Sequence, residues 1–272
     1  MLEDTVALAV LAALAGLLIG SYLNVCIYRL PRDFSTAYPS RSFCPSCGRV
    51  VAWYDNLPVV SWLLLRGRCR HCQTRISVRY ALVELLTAAT FVSAALQHGV
   101  SGEALRLALF SAVMIVLLFT DMETYILPDE FTLGGAVVGW MLATLWPPPP
   151  GLITLFLPVD RLPAGEGLLS SVLGGAIPAA MLWSIGAIYE RLRGREGLGF
   201  GDVKMMLTLG AFVGLEGTLL TVAAAGVLGS LAAVPRLLMR GREAMLDEMP
   251  LGSFLALAGL ILAHLGRSGR LY

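Results

Sequence analysis

The stretch "TVALAVLAALAGLLIGSYL" (residues 5–23) contains no charged side chain. Its length falls within the roughly 17–25 residues that a helix needs to cross the hydrocarbon core of a bilayer. The residues before it end in Glu3 and Asp4, whereas a cleaved signal peptide begins with a basic region. We therefore predict a retained transmembrane helix at the start of the chain.

Similar apolar runs recur along the whole sequence. The 272 residues are 57% hydrophobic and only 14% charged, with a mean hydropathy of +0.74, whereas a soluble domain carries about 25% charged residues. Further runs of spanning length lie near residues 80–98, 104–120, 131–147, 168–189, 217–235 and 250–265, and a shorter one at 205–216 cannot cross alone. The sequence predicts an all-α polytopic membrane protein with about eight transmembrane helices and the lipid bilayer as its surroundings. A net charge of +1 gives no bulk attraction to nucleic acid, so no nucleic-acid partner is expected.

The arginines predict the orientation of these helices. They concentrate in residues 29–79, and because cytoplasmic loops are enriched in Lys and Arg, we expect this segment in the cytoplasm. Alternation then places the basic segments 189–204 and 236–248 on the same side. Eight crossings put both termini outside, together with the loop at residues 147–167. The loop "DMETYILPDE" (121–130) falls inside although it has four acids and no base.

Four cysteines in the basic segment form two Cys-x-x-Cys pairs, "CPSCG" (Cys44, Cys47) and "CRHCQ" (Cys69, Cys72). The 21 residues between the pairs slightly exceed the usual zinc-ribbon spacing. Four thiolates suit a closed, structural Zn²⁺ site, and the alternative of disulfides is disfavoured in a reducing cytoplasm. His71 lies inside the second pair and is expected near the metal rather than on it. The fifth cysteine, Cys26, is expected to be a small buried apolar residue in the first span.

Two aspartates stand at the predicted cytoplasmic ends of apolar runs, Asp121 after "SAVMIVLLFT" and Asp202 before "VKMMLTLGAFVGL". Ionisable residues at membrane depth are costly and indicate function. If the two carboxylates meet, they share a proton, so that one activates a water while the other polarises a carbonyl, as in an aspartic protease. The alternative for each residue is a helix cap or a solvated interfacial charge.

The surroundings of Asp202 favour a functional role. Gly199 and Gly201 permit close approach of another segment and positive φ angles, which a cap does not require. Lys204 is the only lysine among 20 basic residues. A compact ammonium here, where the chain elsewhere uses arginine, suggests that Lys204 tunes the charge of the aspartates or orients the loop, although a base reaching to the interface is the alternative.

Other acids and histidines carry weaker signals. Asp129 follows Pro128 before an apolar run and is expected to be a helix N-cap. Glu84 lies within an apolar run with no partner that the sequence identifies, and His98 and His264 are expected at the membrane interface. The chain has neither His-Glu-x-x-His nor Gly-x-Ser-x-Gly, so metalloprotease and serine-hydrolase mechanisms lack their residues.

Taken together, these motifs resemble those of the bacterial type IV prepilin peptidases. The cysteine segment from Ser42 to Ala88, "GSYLNVCIYRLP" (20–31), "FTDMETYILPDEFT" (119–132), "GLGFGDVKMM" (197–206) and "MPLGSFLALAGL" (249–260) follow the family's order and cover nearly the whole chain. The resemblance implies an inner-membrane aspartic endopeptidase of the GxGD type with Asp121 and Asp202 as its catalytic pair. It would cut prepilins and type II secretion pseudopilins on the cytoplasmic side, after a glycine that ends a short basic leader.

The resemblance also implies a second activity, N-methylation of the new N-terminal residue with S-adenosylmethionine as methyl donor. The sequence has no Gly-x-Gly-x-x-Gly fingerprint, so no residue is assigned to this cofactor. We divide the chain into a first transmembrane helix (1–28), a zinc-binding domain (29–79) and a transmembrane peptidase domain (80–272). The residues alone leave two other classes open: a transporter or channel whose membrane acids carry ions, and a scaffold that docks through the zinc domain.

Overall fold

The computed structural model describes residues 2–147, 166–194, 199–241 and 249–265. Most of the loop predicted at 147–167, part of "GLGFGDVKMM" (Gly197 and Leu198), residues 242–248 and the tail after residue 265 lie outside this part. The helices are α1 (Leu2–Arg29), α2 (Val60–Leu64), α3 (Arg79–His98), α4 (Gly102–Thr124), α5 (Asp129–Leu145), α6 (Glu166–Arg193), α7 (Phe200–Arg240) and α8 (Leu251–Leu265). Short 3-10 helices lie at Leu30–Arg32 and Trp53–Asn56. In the described residues, extended pairing is limited to two isolated bridges, Phe43 with Val50 and Arg68 with Arg75.

The helices confirm the predicted class, an all-α polytopic membrane protein. Five of them, α1, α3, α4, α6 and α7, are long and apolar enough to cross a membrane, and α8 is a shorter apolar helix. Each of the eight apolar runs of the sequence becomes a helix or, for the two runs at 205–216 and 217–235, one part of α7. Large apolar side chains such as Leu11, Leu18 and Trp183 are exposed along these helices, as expected of surfaces that face lipid.

The chain forms two compact units, residues 1–116 and 117–272, with the boundary inside α4. In the first unit, α1 packs along α3 through two glycines. A Cβ atom at Gly16 would lie 2.6 Å from Ala88 Cα, and one at Gly20 would lie 2.8 Å from Glu84 Cα. Small residues let membrane helices approach closely, and polar side chains add hydrogen bonds between them. Here the buried Asn24 donates to the carbonyl of Tyr80 at 2.9 Å.

Glu84, for which the sequence offers no partner, is bonded to the loop before α2. Its buried carboxylate accepts a hydrogen bond from the backbone N–H of Val59 at 2.7 Å. Val59 has φ 59° and ψ −49°, a conformation that β-branched residues rarely adopt. The carboxylate therefore holds a strained turn in place at the start of α2.

We expect Glu84→Ala to lower the free energy of unfolding by about 1–3 kcal/mol, because it leaves the Val59 N–H without its acceptor. Glu84→Gln should lose less, since the amide oxygen can still accept. Thermal unfolding in detergent, with limited proteolysis of the segment around α2, measures both effects. Equal stability of the alanine and glutamine variants would show that the bond to Val59 contributes little.

In the second unit, α7 is interrupted at Gly214, which has φ 68° and ψ −172°. The interruption lies two residues before the end of the short run predicted at 205–216. The part of α7 before it is about 21 Å long, shorter than the hydrocarbon core of about 30 Å. Thr218 Oγ1 donates to the carbonyl of Gly214 at 2.7 Å, so this backbone acceptor at the interruption has a partner inside the membrane.

Glycines also let α6 approach this first part of α7. A Cβ atom at Gly210 would collide with the backbone of Gly174 and Gly175, and a Cβ atom at Gly139 of α5 would lie 2.7 Å from Ala211 Cβ. In the same part of α7, Met205, Met206 and other apolar residues are fully buried. The start of α7 is thereby fixed among its neighbours, and it carries Asp202.

Candidate active site and metal centre

Asp121, in the last turn of α4, is buried with 5% of its surface exposed. Its Oδ2 accepts two hydrogen bonds from Ser253 of α8, from the backbone N–H at 2.6 Å and from the hydroxyl at 2.8 Å. A Cβ atom at Gly252 would lie 3.1 Å from the carboxyl carbon, so the absence of a side chain there lets α8 begin against the carboxylate. The first N–H groups of a helix have no partner within it, and they favour an anion at this position.

Asp202 is the third residue of α7 and is partly buried. The N-cap of α7 is Gly199, and no side chain caps this end, so Asp202 is not a helix cap. The residue before Asp202, Gly201, and the residue that faces the Asp121 carboxylate, Gly252, both lie against the side chain of Leu127. The two aspartates singled out in the sequence therefore lie near each other in the second unit.

Leu127, in the loop between α4 and α5, fills the space between the start of α7, which carries Asp202, and the start of α8, which contacts Asp121. Its side chain lies 3.2 Å from the position of a Cβ atom at Gly201 and 3.0 Å from that of one at Gly252. A larger residue at either glycine would displace this leucine. Gly201 leaves room for the Leu127 side chain, and neither Gly201 nor Gly199 has the positive φ angle that the sequence suggested.

Lys204 forms an ion pair with Asp129, with 2.7 Å between Nζ and Oδ1. The ammonium also lies 5.1 Å from the centroid of the Phe200 ring. The pair joins the beginning of the second turn of α7 to the first turn of α5. Of the two roles considered for the single lysine, this contact favours orientation of the Asp202 segment.

The expectation that Asp129 is an N-cap is wrong by one residue. The N-cap of α5 is Pro128, and Asp129 is the first helical residue. Proline fixes φ near the value that the helix entry needs and has no N–H to satisfy, so it can occupy this place. The Asp129 carboxylate is consequently directed to Lys204 instead of the α5 amides.

Ser253 is the residue of this site that sequence reasoning missed. The run "MPLGSFLALAGL" indicated a helix, and a serine in the first turn of an apolar helix is unremarkable by itself. One sequence feature could have indicated Ser253: it directly follows a glycine at the start of a helix, and a helix start favours a nearby anion. Its partner lies 132 positions away, so the sequence could not identify the contact.

In the first unit, the four cysteines of the two Cys-x-x-Cys pairs converge. The sulfur atoms of Cys44, Cys47, Cys69 and Cys72 all lie within 4.8 Å of one another, and those of Cys44 and Cys72 are 3.7 Å apart. A tetrahedral Zn²⁺ site with Zn–S bonds of about 2.3 Å has sulfurs about 3.8 Å apart. The donor set and its spacing therefore fit a closed four-thiolate site. His71 is outside the cluster, and its Nδ1 is 3.1 Å from Arg49 Nη1.

The two pairs have the same local structure. The first cysteine of each accepts a hydrogen bond from the residue four positions on, Gly48 or Gln73, and both of these residues have positive φ. Hydrogen bonds with Thr74 lower the pKa of Cys72 to about 6. A backbone hydrogen bond to Arg49 acts to lower the pKa of Cys47, but desolvation and the thiols of Cys44 and Cys72 outweigh it and raise that pKa to about 11.

Comparison with known proteins relates both regions to one family. Residues 14–98 match the family model "Bacterial Peptidase A24 N-terminal domain", and residues 108–234 match the model "Type IV leader peptidase family". A "Prepilin leader peptidase/N-methyltransferase" of Neisseria gonorrhoeae is 35% identical over 86% of this chain and 84% of its own length. Proteins with the same name from Aeromonas hydrophila and Pseudomonas putida are 33% and 35% identical, each over 92% of this chain and 88% of their own length.

The chain belongs to the type IV leader peptidase family. The four cysteines lie within the segment that matches the N-terminal model of this peptidase family, and Asp121 and Asp202 lie within the segment that matches the leader peptidase model. Ser253 lies beyond both matched segments. No solved structure matches this family member at a significant level.

Proposed function

We propose that this protein is a membrane-embedded aspartic endopeptidase that removes the short basic leader from type IV prepilins and pseudopilins after a glycine. The observation that carries the proposal is the approach of Asp121 and Asp202 at the ends of α4 and α7. Membership of the leader peptidase family and the names of the relatives support the substrate class. In this proposal residues 80–272 form the peptidase domain.

Peptide hydrolysis by the pair needs one ionised and one protonated carboxyl group. The ionised carboxylate takes a proton from a water that attacks the scissile carbonyl, and the protonated group donates to the carbonyl oxygen. Gly199 leaves the backbone before Asp202 without a side chain, so an extended substrate can approach it there, whereas Leu127 already occupies the space beside Gly201. Burial of Asp121 limits access of bulk water and strengthens electrostatic interactions in the site.

The acidic loop beside the site suits a basic leader. Glu123 and Glu130 are exposed on either side of the loop between α4 and α5. Together with Asp129, which pairs with Lys204, these two glutamates make this segment acidic. We propose that this loop faces the cytoplasm of a bacterial inner membrane, with the cysteine segment on the same side and both termini in the periplasm.

We further propose that the protein methylates the new N-terminal residue with S-adenosylmethionine. The name shared by the relatives, which combines leader peptidase and N-methyltransferase, supports this second activity. The methyl donor follows from the family resemblance alone, and we assign no residue to it. For the cysteine cluster we propose a structural Zn²⁺ ion held by Cys44, Cys47, Cys69 and Cys72, which leaves no position open for a substrate.

A purified assay tests the two activities together. The full chain in lipid nanodiscs is incubated with a prepilin and isotopically labelled S-adenosylmethionine, and the products are analysed by mass spectrometry. We expect cleavage after the leader glycine and one labelled methyl group on the new N-terminus. A folded protein that leaves the prepilin intact would contradict the peptidase and favour a transporter or scaffold. Cleavage without label would contradict only the methyltransferase.

The same assay tests the role of Lys204. We expect Lys204→Met to reduce cleavage several-fold, because the Asp202 segment loses its ion pair with α5, and Asp129→Asn to have the same effect without adding to it. Lys204→Arg should lose less than Lys204→Met but more than Arg193→Lys. Arg193 is exposed at the end of α6 and serves as the charge-conserving control. Equal activity of the Lys204→Arg and Arg193→Lys variants would show that no compact ammonium is required.

A further inference from the structure

The two aspartates differ in their hydrogen bonding. One oxygen of Asp121 accepts both the amide and the hydroxyl of Ser253. Within residues 199–241 and the other described ranges, no hydrogen bond reaches the carboxylate of Asp202, whose own backbone N–H bonds to Gly199. An oxygen that accepts two short hydrogen bonds is stabilised in its ionised form.

The start of α8 reinforces this difference. Ser253 is the third residue of α8, so its N–H is one of the amides that lack a partner within the helix. The positive end of the helix dipole also faces the Asp121 carboxylate across Gly252. Asp202 lies in the first turn of α7 and is near a helix dipole too, but it lacks the direct donors. When the pair shares one proton, that proton is therefore more stable on Asp202.

We propose that Ser253 is a positioning residue that holds Asp121 as the ionised base of the pair and leaves the shared proton on Asp202. The inference rests on the proposed peptidase function and assigns a role to each aspartate. As water attacks the scissile carbonyl carbon, its proton passes to Asp121, and Asp202 gives its proton to the carbonyl oxygen. When the C–N bond then breaks, Asp121 protonates the leaving nitrogen. A hydroxyl proton of the tetrahedral intermediate returns to Asp202, which restores both residues.

Other charged groups near the pair are few in the described part of the chain. Residues 251–260 of α8 contain no acid or base. At the ends of the neighbouring elements that lie nearest the pair in sequence, the other titratable side chains are Glu123 of α4, Tyr125 of the following loop, Asp129 and Glu130 of α5, and Lys204 of α7. Glu103 and Arg106 lie near the opposite end of α4, and the other charged residues of α7, from Glu216 onward, lie beyond the interruption at Gly214. Asp129 and Lys204 are paired with each other, and Glu123 and Glu130 are exposed. Removal of the Ser253 hydroxyl therefore acts mainly on Asp121.

The test measures kcat and KM for prepilin cleavage across a range of pH with Ser253→Ala and Ser253→Cys in the full chain. Ser253→Ala removes one charge-assisted hydrogen bond, and we expect kcat to fall roughly tenfold with KM unchanged. As the pH is lowered, Ser253→Ala should also lose activity at a higher pH than the wild type, because the ionised form of Asp121 has lost a hydrogen-bond donor. The loss of activity at alkaline pH should occur at the same pH in both proteins. A thiol donates more weakly than a hydroxyl but still donates, so Ser253→Cys should show a smaller change than Ser253→Ala, in the same direction.

Thr221→Val serves as a control, because among the residues that the structure describes its buried hydroxyl bonds only to the carbonyl of Gly217 in the same helix. It should leave the pH profile unchanged. If the alkaline side of the pH profile shifts in the Ser253 variants, the shared proton lies on Asp121 and the inference is overturned. An unchanged pH profile would also overturn the inference. If Ser253→Ala fails to fold, the cysteine variant decides. Failure of the wild-type protein to cleave prepilin contradicts the proposed function instead, so the two failures are distinguishable.

Discussion

Replacing either Asp121 or Asp202 with asparagine is expected to abolish prepilin cleavage while the protein remains folded. Asparagine has nearly the same shape as aspartate, and its amide oxygen can still accept from Ser253 at position 121. What it loses is the ability to exchange a proton, and general acid–base catalysis contributes about 10²–10⁴-fold to such a reaction. Because the pair acts as a unit, the double variant should be no less active than either single variant.

The measurement is the rate of leader removal by purified variants, together with their thermal unfolding and metal content. Asp129→Asn provides a matched control, because it removes an acid of the same region that pairs with Lys204. Its activity should fall only several-fold, as expected for loss of the ion pair with Lys204, and should not be abolished. Wild-type rates in Asp121→Asn or Asp202→Asn would exclude the aspartic mechanism, and loss of folding in these variants would show that the carboxylates stabilise the protein instead.

Much of the architecture was predictable because lipid restricts the choices. A bilayer requires long apolar helices, so the apolar runs of the sequence predicted the helices. The boundary between the runs 205–216 and 217–235 lies close to the interruption at Gly214, although both runs belong to α7. The convergence of the four cysteines was predictable for a similar reason, since the Cys-x-x-Cys spacing suits one tetrahedral ion. In both cases a simple physical constraint links the sequence directly to the structure.

The details of the candidate site depend on contacts between distant positions, and these were not predictable. The partner of Lys204 is 75 positions away, and that of Asp121 is 132 positions away. Asp129 was expected to cap its own helix because local rules favour that role, but the nearby lysine of α7 provides a stronger partner. The partner of Glu84 was not predictable either, because its carboxylate accepts a hydrogen bond from the N–H of Val59, whose strained backbone the sequence does not reveal.

Loss of the metal is expected to unfold the cysteine segment while the transmembrane helices remain folded. Among residues 44–72, Cys69 has the one apolar side chain that is buried in the structure. Zinc binding contributes about 10–16 kcal/mol to the folding of zinc-finger peptides, so the ion should supply most of the stability here. Cys44→Ser or Cys72→Ser should therefore remove the zinc and expose the many arginines of this segment to trypsin, while the helical circular dichroism changes little.

Cys26→Ser is the matched control for these variants, because Cys26 is buried in α1 and lies outside the metal cluster. It should keep one zinc per chain and resist trypsin as the wild type does. Metal analysis and trypsin digestion of the purified proteins measure both properties. The α2 turn is also held by Glu84 of α3, so the segment after Leu57 should be cut more slowly than the one around Cys44 and Cys47. Wild-type protein that contains disulfides and no metal would contradict the zinc site, because the same four sulfur atoms cannot serve both purposes.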